Sequence, residues 1–449
     1  MRGMEEHDVA IAGGGASAVL LAMQLRRRWP GCRIGVAEPA ARLGAGAAYA
    51  TRRDEHLLNV PAGGMSADPE APGDFVDHLR AQGFDADVAA RYVPRRLYHD
   101  YLAARLQALP GAPLHHARAE AVGYDAQAGA LVLDSGERLR ARAVVLATGN
   151  RPRALPFAVE PQAAGRVAGA WDHDAVAALP SAADVAIVGT GLSMVDAALT
   201  MHARGHGGRI LALSRHALLP LPHAAPGEAA VDIDALLAMP LRARLHALRG
   251  EAEALRRAGR PWQWLMQALR PHGAALWRSL GDADRARFLR HAVRYWDVHR
   301  HRIAPEAAAV LGAMVARGAL VLAPARLEAV ALEDGRLRLD ARARDGRALH
   351  WRVDAAINAT GIETRLARSA DPLLSALREA GLVRAGPCGL GLDVDAAGAV
   401  RDAAGRARED LYAIGSLRIG AEWESVAIPE LRVQAAAIAA RLAAAARGG

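Results

Sequence analysis

The 449-residue sequence contains no lysine, so all 56 of its basic residues are arginines. Without lysine, neither Schiff-base catalysis nor a P-loop, which binds phosphate through a lysine, is possible. Cysteine is almost absent as well, because only Cys32 and Cys388 occur. This scarcity excludes the Cys-x-x-Cys and Cys-x4-Cys dithiols of disulfide reductases and favours a reduced, cytoplasmic protein.

The charge distribution and the short apolar runs exclude further classes of protein. No run of about 18 apolar residues is free of charge or glycine, so we expect no membrane span. The start, MRGMEEHDVA, has no secretory apolar core. The net charge of +8 comes from scattered arginines, without zinc-finger spacing, a basic tail or an aromatic RNA motif, so we expect no nucleic-acid partner. Apolar residues make up 52 %, enough for sizeable cores.

The segment DVAIAGGGASA, residues 8–18, predicts a strand, a glycine turn and the start of a helix. In this dinucleotide fingerprint, Gly13 permits the tight turn, Gly15 lets a pyrophosphate approach the backbone, and Ala18 allows close packing of helix on strand. The next predicted strand ends at Glu38, whose carboxylate suits a ribose without a 2′-phosphate. We therefore expect FAD here, bound by Glu38 and by the turn residues Gly13, Gly14, Gly15, Ala16, Ser17 and Ala18.

The same pattern returns in DVAIVGTGLSMVDAALT, residues 184–200. The third fingerprint position is Met194, larger than the usual glycine or alanine, so a nucleotide-like fold without a ligand is an alternative. The functional interpretation assigns a second nucleotide to the turn residues Gly189, Thr190, Gly191, Leu192 and Ser193.

The strand that follows the second fingerprint ends in Ser214-Arg215. Ser214 lies 25 positions after Gly189, and Glu38 lies 25 positions after Gly13, so Ser214 occupies the place of the acid. A hydroxyl donates to a 2′-phosphate, and a guanidinium binds it with charge-assisted hydrogen bonds. The pair predicts NADPH rather than NADH, the alternative being that Arg215 is a solvated loop residue.

Three further apolar segments, AVVLATGN, AAINATGI and DLYAIGS, predict strands that end in glycine. Glycine at a strand end lets the backbone pass close to a ligand. We therefore add to the cofactor-binding set the residues Thr148, Gly149, Thr360, Gly361, Gly415 and Ser416.

The order of these segments predicts an α/β protein with two Rossmann-like dinucleotide-binding domains, the second inserted in the first, and an α-helical insert. The FAD-binding domain is expected to comprise residues 1–165 and 351–449. The NADPH-binding domain is expected over 166–350, with the helical insert at about 220–313. The composition of the sequence leaves the oligomeric state open.

Several segments resemble those of the two-dinucleotide-binding-domain flavoproteins, and more narrowly of a bacterial family of FAD/NAD(P)-binding oxidoreductases related to the flavin-containing and N-hydroxylating monooxygenases. They are AIAGGGASA, GAGAAYATRRDEHLLNVPAGGMSA, YVPRRLYHDYL, VGTGLSMVDAAL, YWDVHRHRIAP and EWESVAIPELRVQA. The resemblance implies that HLLNVPAGGMSA lies against the flavin, with His56, Asn59, Met65 and Ser66 near the ring. Asn59 would then contact the ring edge or the nicotinamide amide; an ordered loop without chemistry is the alternative.

The sequence also departs from its relatives. The Baeyer–Villiger signature is not reproduced, because GRVAGAWDHDAV retains only Gly169, Trp171 and His173 in loose order. Gly415-Ser416 stands where many relatives carry Gly-Asp. Ester-forming oxygenation and the ribityl contact are therefore both in doubt.

The combined reading predicts an NADPH-dependent FAD monooxygenase, which reacts with O₂ and oxygenates a small organic substrate through a flavin C4a-hydroperoxide. The alternatives are a flavin reductase or oxidase that passes electrons to a quinone or to O₂, and a non-enzymatic flavin- and NADPH-sensing protein that binds a partner. The candidate catalytic residues are Asn59 and Glu424. Glu424 is expected to gate the site or protonate an intermediate, and the alternative is that it is an acid favoured at the start of a helix.

The segment WDVHRHR, residues 296–302, concentrates basic residues. No metal is expected, because His299 and His301 lack suitable ligand partners. An anion clamp for substrate or phosphate is one interpretation, and helix-terminal charge with packing is the other. Half of the tryptophans fall in the helical insert and predict its core, with a lid or partner surface as the alternative; they are Trp262, Trp264, Trp277 and Trp296.

Overall fold

A computed structural model describes residues 6–448 of the chain. Its strands are β1 (Glu6–Ala12), β2 (Ile34–Ala37), β3 (His115–Ala117), β4 (Ala121–Asp125), β5 (Ala130–Leu133), β6 (Arg138–Leu146), β7 (Ala158–Val159), β8 (Val167–Gly169), β9 (Val185–Val188), β10 (Ile210–Ser214), β11 (Leu320–Glu333), β12 (Arg336–Ala343), β13 (Ala348–Val353), β14 (Ala355–Asn358), β15 (Ala399–Arg401) and β16 (Ala407–Ala413).

The helices lie between or after these strands, and the longest run of consecutive helices lies between β10 and β11. They are α1 (Ala16–Arg28), α2 (Gly46–Tyr49), α3 (Asp74–Ala81), α4 (Arg95–Gln107), α5 (Pro161–Ala164), α6 (His173–Ala177), α7 (Leu192–Ala203), α8 (Ile233–Ala238), α9 (Leu241–Arg257), α10 (Gln263–Leu269), α11 (Gly273–Arg278), α12 (Asp282–His291), α13 (Val293–Arg300), α14 (Pro305–Ala316), α15 (Pro372–Glu379), α16 (Ile419–Glu422) and α17 (Ile428–Gly448). Short 3₁₀ turns lie at Ala62–Gly64, Ala86–Ala90, Arg270–His272, Leu366–Arg368, Pro387–Gly389 and Gly415–Arg418.

The first sheet has the strand order β15-β16-β6-β1-β2-β3, with β5 and β4 continuing from β6. Its central strands run parallel, and β1 is buried along nearly its whole length, as expected for a strand covered by helices on both faces. The face that includes Val9 and Ile11 packs against α1, α4 and α17, and the opposite face against α15. The last helix of the chain thus closes the domain that the first strand begins.

The second sheet has the order β13-β12-β11-β10-β9-β14-β8, and β7 pairs with β11. Strands β8, β14, β9, β10 and the start of β11 run parallel, and β12 and β13 continue as an antiparallel meander. One face of the parallel part packs against α7 and α14. The two expected dinucleotide-binding folds are therefore both present.

The helical insert consists of α8–α13 and lies between β10 and α14. Leu236, Leu265 and Leu269 form its core, on which Trp262 and Trp296 pack, and Trp277 is buried in a second cluster with Phe288. The Trp264 indole instead covers Gly227 and donates to a loop carbonyl. The core interpretation thus fits three of the four tryptophans.

Along the chain, the second sheet begins before and ends after the boundaries expected for the NADPH-binding domain. The sheet begins at β7, ahead of residue 166, and ends at β14, beyond residue 350. The expected end of the insert at 313 falls inside α14, which packs on the second sheet. The differences arise because β7 has only two residues and because α14 follows the insert helices with no strand between them.

Candidate active site

The first glycine turn lies at the carboxyl edge of the first sheet, between the end of β1 and α1. Gly13 has φ +101°, and a Cβ there would lie 2.3 Å from the carbonyl oxygen of Ala147, so only glycine fits the crossing. Helix α1 begins at Ala16 with no side-chain cap and no acid in its first turn. Its first amides and its dipole are therefore free to bind a phosphate.

The predicted ribose-binding acid lies beside this turn. The Glu38 carboxylate accepts a hydrogen bond of 2.7 Å from the amide of Gly14 and one of 3.0 Å from the amide of Ala40. It is half-buried and fixed by backbone donors, and each carboxylate oxygen keeps further acceptor capacity beside the turn. This position suits the hydroxyls of a ribose.

Two further strand ends meet the first turn. The Ser416 hydroxyl donates to the carbonyl of Gly149 at 3.0 Å, which ties the end of β16 to the end of β6 beside the half-buried Thr148. Gly415 lies against Ser17, whose Oγ would be 3.2 Å from a Cβ at residue 415. The predicted FAD residues of four separate segments thus meet at one edge of the sheet.

Sequence reasoning missed one residue at this edge. The Oδ1 atom of Asn150 is buried and has no hydrogen-bond partner in residues 6–448. A buried, unsatisfied acceptor is costly, so a donor from a bound ligand would satisfy it. Asn150 follows the Ala-Thr-Gly segment directly, and only that adjacency could have indicated it.

The side chains of the loop 56–66, which is expected to lie against the flavin ring, differ in their surroundings. Met65 and Ser66 are 3 % and 1 % exposed, and the Ser66 hydroxyl lies 2.7 Å from the carbonyl of Ala71. His56 is fully buried, and its Nε2 lies 2.9 Å from the Oγ1 of Thr200 on α7. These three side chains hold the loop in place, and Asn59 lines a cavity together with Leu57.

The second glycine turn repeats the geometry of the first. Gly189 has φ +115°, and a Cβ would lie 2.2 Å from the carbonyl oxygen of Ala359. Helix α7 begins at Leu192 without a side-chain cap or an acid in its first turn. A Cβ at Gly191 or at Gly361 would meet nothing within 4 Å. The turn therefore fits a pyrophosphate, which needs open space and free amides.

The two Ala-Thr-Gly segments belong to different sheets. Residues 147–149 end β6 of the first sheet, whereas residues 359–361 end β14 of the second. Thr360 and Gly361, expected within the second part of the FAD domain, thus lie beside Gly189. The Thr360 hydroxyl is within 2.7 Å of the Asn358 Oδ1 and is used locally.

The residues expected to select the phosphorylated nicotinamide lie at the end of β10. The Ser214 Oγ accepts from the amide of Ala217 at 3.0 Å and shares a 2.9 Å hydrogen bond with the Thr190 Oγ1, while Arg215 is exposed. Burial and then the charges of Arg215, Arg344 and Arg294 lower the pKa of the adjacent His216.

Sequence reasoning missed Arg294 and Arg344 at the end of β10. The charges of these two arginines and of Arg215 all act on His216, and Arg294 is also paired with Asp297 at 3.2 Å. They come from α13 and from the β12–β13 turn, so only the fold brings them to Arg215.

The two domains meet at Asn59. Its backbone carbonyl accepts from the Nε2 of His223 at 2.9 Å, and its side chain lines a cavity of about 10 Å³ together with Leu192 and Ile303. That volume admits about one water molecule. In the same wall, Arg95 and Asp196 form a bidentate ion pair at 2.7 and 3.1 Å. The junction is therefore tightly packed and excludes bulk water.

The second candidate catalytic residue, Glu424, is fixed by the helical insert. Its carboxylate accepts from the Nε1 of Trp296 at 3.0 Å and pairs with Arg300 at 3.1 Å. The preceding Trp423 has φ +61° and ψ −61°, and it stacks on Trp277 with 4.8 Å between ring centroids. Both contacts hold the Glu424 carboxylate as an acceptor, which suits a positioning role.

A wider cavity of about 590 Å³ lies between α12 and the turn that carries Cys388, with Arg290 and Arg365 in its wall. Within residues 6–448, no group of three or more histidine, cysteine or acidic side chains could hold a metal ion. In the same residues, no helix combines the length and apolar character that a membrane crossing needs.

The chain was compared with known families and sequences. Residues 10–151 match a family model described as FAD-NAD(P)-binding, which spans the first sheet from β1 to just beyond Gly149. No curated protein sequence matches the chain.

Solved structures match the fold over its whole length. The ornithine N-hydroxylase of Kutzneria sp. 744 is 15 % identical, with a TM-score of 0.69 over 99 % of this chain and 100 % of the other. The L-lysine 6-monooxygenase of Pseudomonas syringae is 17 % identical, with 0.65 over 98 % and 99 %. The cadaverine monooxygenase of Erwinia amylovora is 13 % identical, with 0.68 over 98 % and 94 %.

At these identities the likeness establishes the fold. The expected architecture of two dinucleotide-binding domains, similar to that of N-hydroxylating flavin monooxygenases, is confirmed. The expectation of a flavin- and nicotinamide-binding domain is confirmed at the level of residues 10–151.

Proposed function

We propose that this protein is an FAD- and NADPH-dependent monooxygenase that hydroxylates the nitrogen of a small primary amine. The balanced reaction is R–NH₂ + O₂ + NADPH + H⁺ → R–NHOH + NADP⁺ + H₂O. The amine is chosen over other substrates because three of the matched solved structures are an ornithine N-hydroxylase, an L-lysine 6-monooxygenase and a cadaverine monooxygenase. FAD, when bound, supplies the hydride acceptor and the site of reaction with O₂.

The observation that carries the proposal is a pair of glycine turns, one at the end of each sheet. Both turns cross under a strand end at Gly13 and Gly189, and both precede uncapped helices without acids. One turn carries the acid Glu38, and the other carries Ser214 with Arg215. A site with this asymmetry suits FAD on one side and NADPH on the other.

The chain's own residues would bind the cofactors, orient the reacting groups and shield them from water. Glu38 would hold the FAD ribose, and Arg215 the 2′-phosphate of NADPH. Asn59, held by His223, lies where the two domains meet and would orient the reacting groups. Glu424 would act as a positioning residue that holds Arg300. The packed junction would exclude water, which protects a reactive oxygenating species from hydrolysis and uncoupling.

The decisive experiment measures how tightly NADPH consumption is coupled to hydroxylamine formation. The FAD-loaded protein is mixed with NADPH, O₂ and a panel of primary amines, and NADPH consumed, hydroxylamine formed and H₂O₂ released are all quantified. We expect at least one amine to give hydroxylamine and NADPH consumption in a ratio near one. Reactions without amine are the control and should release little product of either kind.

The rival functions predict different outcomes in the same assay. Amine-independent NADPH oxidation that ends in H₂O₂ or in a reduced quinone would identify a reductase or oxidase. Failure of NADPH and NADH to reduce the bound flavin would contradict any redox enzyme and favour a sensing protein.

A further inference from the structure

Three arginines of the helical insert lie together beside the start of α17. We call Arg270, Arg300 and Arg302 the arginine cluster. Arg270 forms a bidentate ion pair with Glu430 at 3.1 and 3.2 Å. Arg300 pairs with Glu424 at 3.1 Å and lies 3.9 Å from Glu430. The cluster therefore joins the insert to the first domain.

The arginine cluster carries one more positive charge than the carboxylates that face it. Arg302 is 5 % exposed and donates to the carbonyl of Gln263 at 3.2 Å and to the Oε1 of Gln267 at 3.4 Å. Within residues 6–448, no carboxylate lies in ion-pair range of its guanidinium, and its Nε has no acceptor. Burial and then the charge of Arg300 lower the pKa of Arg302 to about 10.

Another buried arginine of the insert shows what a structural role requires. Arg244 is 4 % exposed, and its guanidinium donates to Leu276, Met239 and Ser279 at 2.7 to 3.0 Å. These acceptors satisfy its two terminal nitrogens without an anion, whereas the Nε of Arg244, like that of Arg302, has no acceptor in residues 6–448. Arg302 has two long contacts to neutral oxygens and two arginine neighbours. A buried cation in that state costs several kcal/mol unless an anion compensates it.

Arg302 adjoins the wall of the Asn59 cavity along the chain but is not itself one of the residues that line it. Arg302 precedes Ile303, which lines the Asn59 cavity and whose carbonyl accepts from the amide of His223. The neighbouring Arg270 and Arg300 reach towards Glu430 on α17, on the side of the first sheet. The proposed 2′-phosphate contacts lie instead at the end of β10, around Arg215. The cluster reaches solvent at Arg270, which is 15 % exposed.

We propose that the arginine cluster binds the carboxylate of the substrate, with Arg302 as the main contact, so that the substrate is an amino acid rather than a carboxylate-free amine. The inference rests on the proposed function. A carboxylate supplies the missing negative charge, and its two oxygens match the planar fork of a guanidinium. Among the matched structures, ornithine and lysine are substrates of this kind and cadaverine is not.

The test compares pairs of amines that differ only in the carboxylate. The FAD-loaded, NADP⁺-bound protein is titrated by calorimetry with the common amino acids, ornithine and 2,4-diaminobutyrate, and with their decarboxylated counterparts. We expect at least one amino acid to bind about 30-fold more tightly than its counterpart, the value of one charge-assisted ion pair. Equal binding within every pair, or no binding by any amino acid, would overturn the proposal.

Variants locate the effect. Arg302→Gln should weaken binding of the preferred amino acid by about 30-fold and remove the discrimination, and Arg302→Lys should restore part of it. Without substrate, Arg302→Gln should leave Tm unchanged or raise it, because it removes an uncompensated buried charge. The control Arg244→Gln should lower Tm and keep the discrimination. A large loss of Tm in Arg302→Gln with discrimination intact would show a structural role and overturn the proposal.

The affinity for NADP⁺ separates the two possible sources of the anion. Arg302→Gln should leave this affinity unchanged, whereas weaker NADP⁺ binding with unchanged amino-acid binding would assign the cluster to a nucleotide phosphate and refute the inference. Carboxylate-dependent binding without any hydroxylamine would contradict the proposed function and support the carboxylate site. Hydroxylation of carboxylate-free amines that is unaffected by Arg302→Gln would support the proposed function and contradict the carboxylate site.

Discussion

Two alanine substitutions in the second glycine turn should affect different properties, because Gly189 and Gly191 have different surroundings. One should lower stability, and the other should weaken nucleotide binding. A Cβ at Gly189 would lie 2.2 Å and 2.7 Å from the carbonyl oxygen and carbon of Ala359 and 3.2 Å from the amide of Thr360. All three atoms are backbone, and φ is +115°, outside the regions that alanine adopts. A Cβ at Gly191 would meet nothing within 4 Å, and φ there is −90°.

The expected magnitudes follow from these distances. Gly189→Ala should lose about 3 kcal/mol or more of unfolding free energy, because backbone strain alone costs about 1–3 kcal/mol and the clash adds to it. Gly191→Ala should change stability by less than about 0.5 kcal/mol. It should nevertheless weaken NADP⁺ binding by about 30-fold, or about 2 kcal/mol, because the methyl group fills the space through which a pyrophosphate approaches the amides of α7.

The assay combines three measurements on both variants and the unmodified protein. Thermal and denaturant unfolding give stability, flavin absorbance gives FAD content, and the rate of flavin reduction as a function of NADPH concentration gives the nucleotide affinity. Gly191→Ala should retain full FAD content. The reasoning is refuted if Gly191→Ala binds NADPH as tightly as the unmodified protein, or if Gly189→Ala is as stable as Gly191→Ala.

Three further predictions follow from the site. Arg215→Ala should lower the preference for NADPH over NADH by at least about 10-fold with no change in Tm, measured by flavin reduction with each nucleotide; an unchanged preference would leave Arg215 a solvated loop residue. Asp196→Ala should cost about 3 kcal/mol in denaturant unfolding, because it leaves the guanidinium of Arg95 buried without its bidentate partner; a loss below about 1 kcal/mol would mean that water compensates the charge. Burial and nearby arginines lower the pKa of His223 to about 4, below its unfolded value, so the stability that its neutral form contributes is present above about pH 6.5 and is lost as the pH falls towards 4. At pH 5 that loss is about 2 kcal/mol, and His223→Gln should remove this part of the acid sensitivity; identical pH profiles would contradict it.

The architecture was predictable because its signals are local. A strand that runs into a glycine turn and a helix is encoded within about a dozen residues, as at Gly13 and Gly189, and both positive φ values follow from the crossing strands. The equal spacing to Glu38 and Ser214 corresponds to similar places in the fold, since Glu38 directly follows β2, Ser214 is the last residue of β10, and each strand pairs with the one that precedes its glycine turn.

The expectations that changed depend on contacts between distant segments. The family resemblance implied that His56 lies near the flavin ring, but its side chain is buried against α7 of the other domain. Thr360 and Gly361 were expected within the second part of the flavin domain, but β14 pairs with β9. No local pattern distinguishes a strand of one sheet from a strand of the other, because strand pairing depends on the tertiary packing of the whole domain.

The sequence by itself determined the kind of fold, the two nucleotide turns and the absence of any lysine or dithiol chemistry, since each depends on residue types or on neighbours along the chain. Tertiary structure alone decided which charges are compensated. Arg270, Arg300 and Arg302 look alike in the sequence, yet two have carboxylate partners from the far end of the chain and Arg302 has none among the described residues. Charge compensation depends on distance in space and on exclusion of water, and a linear sequence records neither.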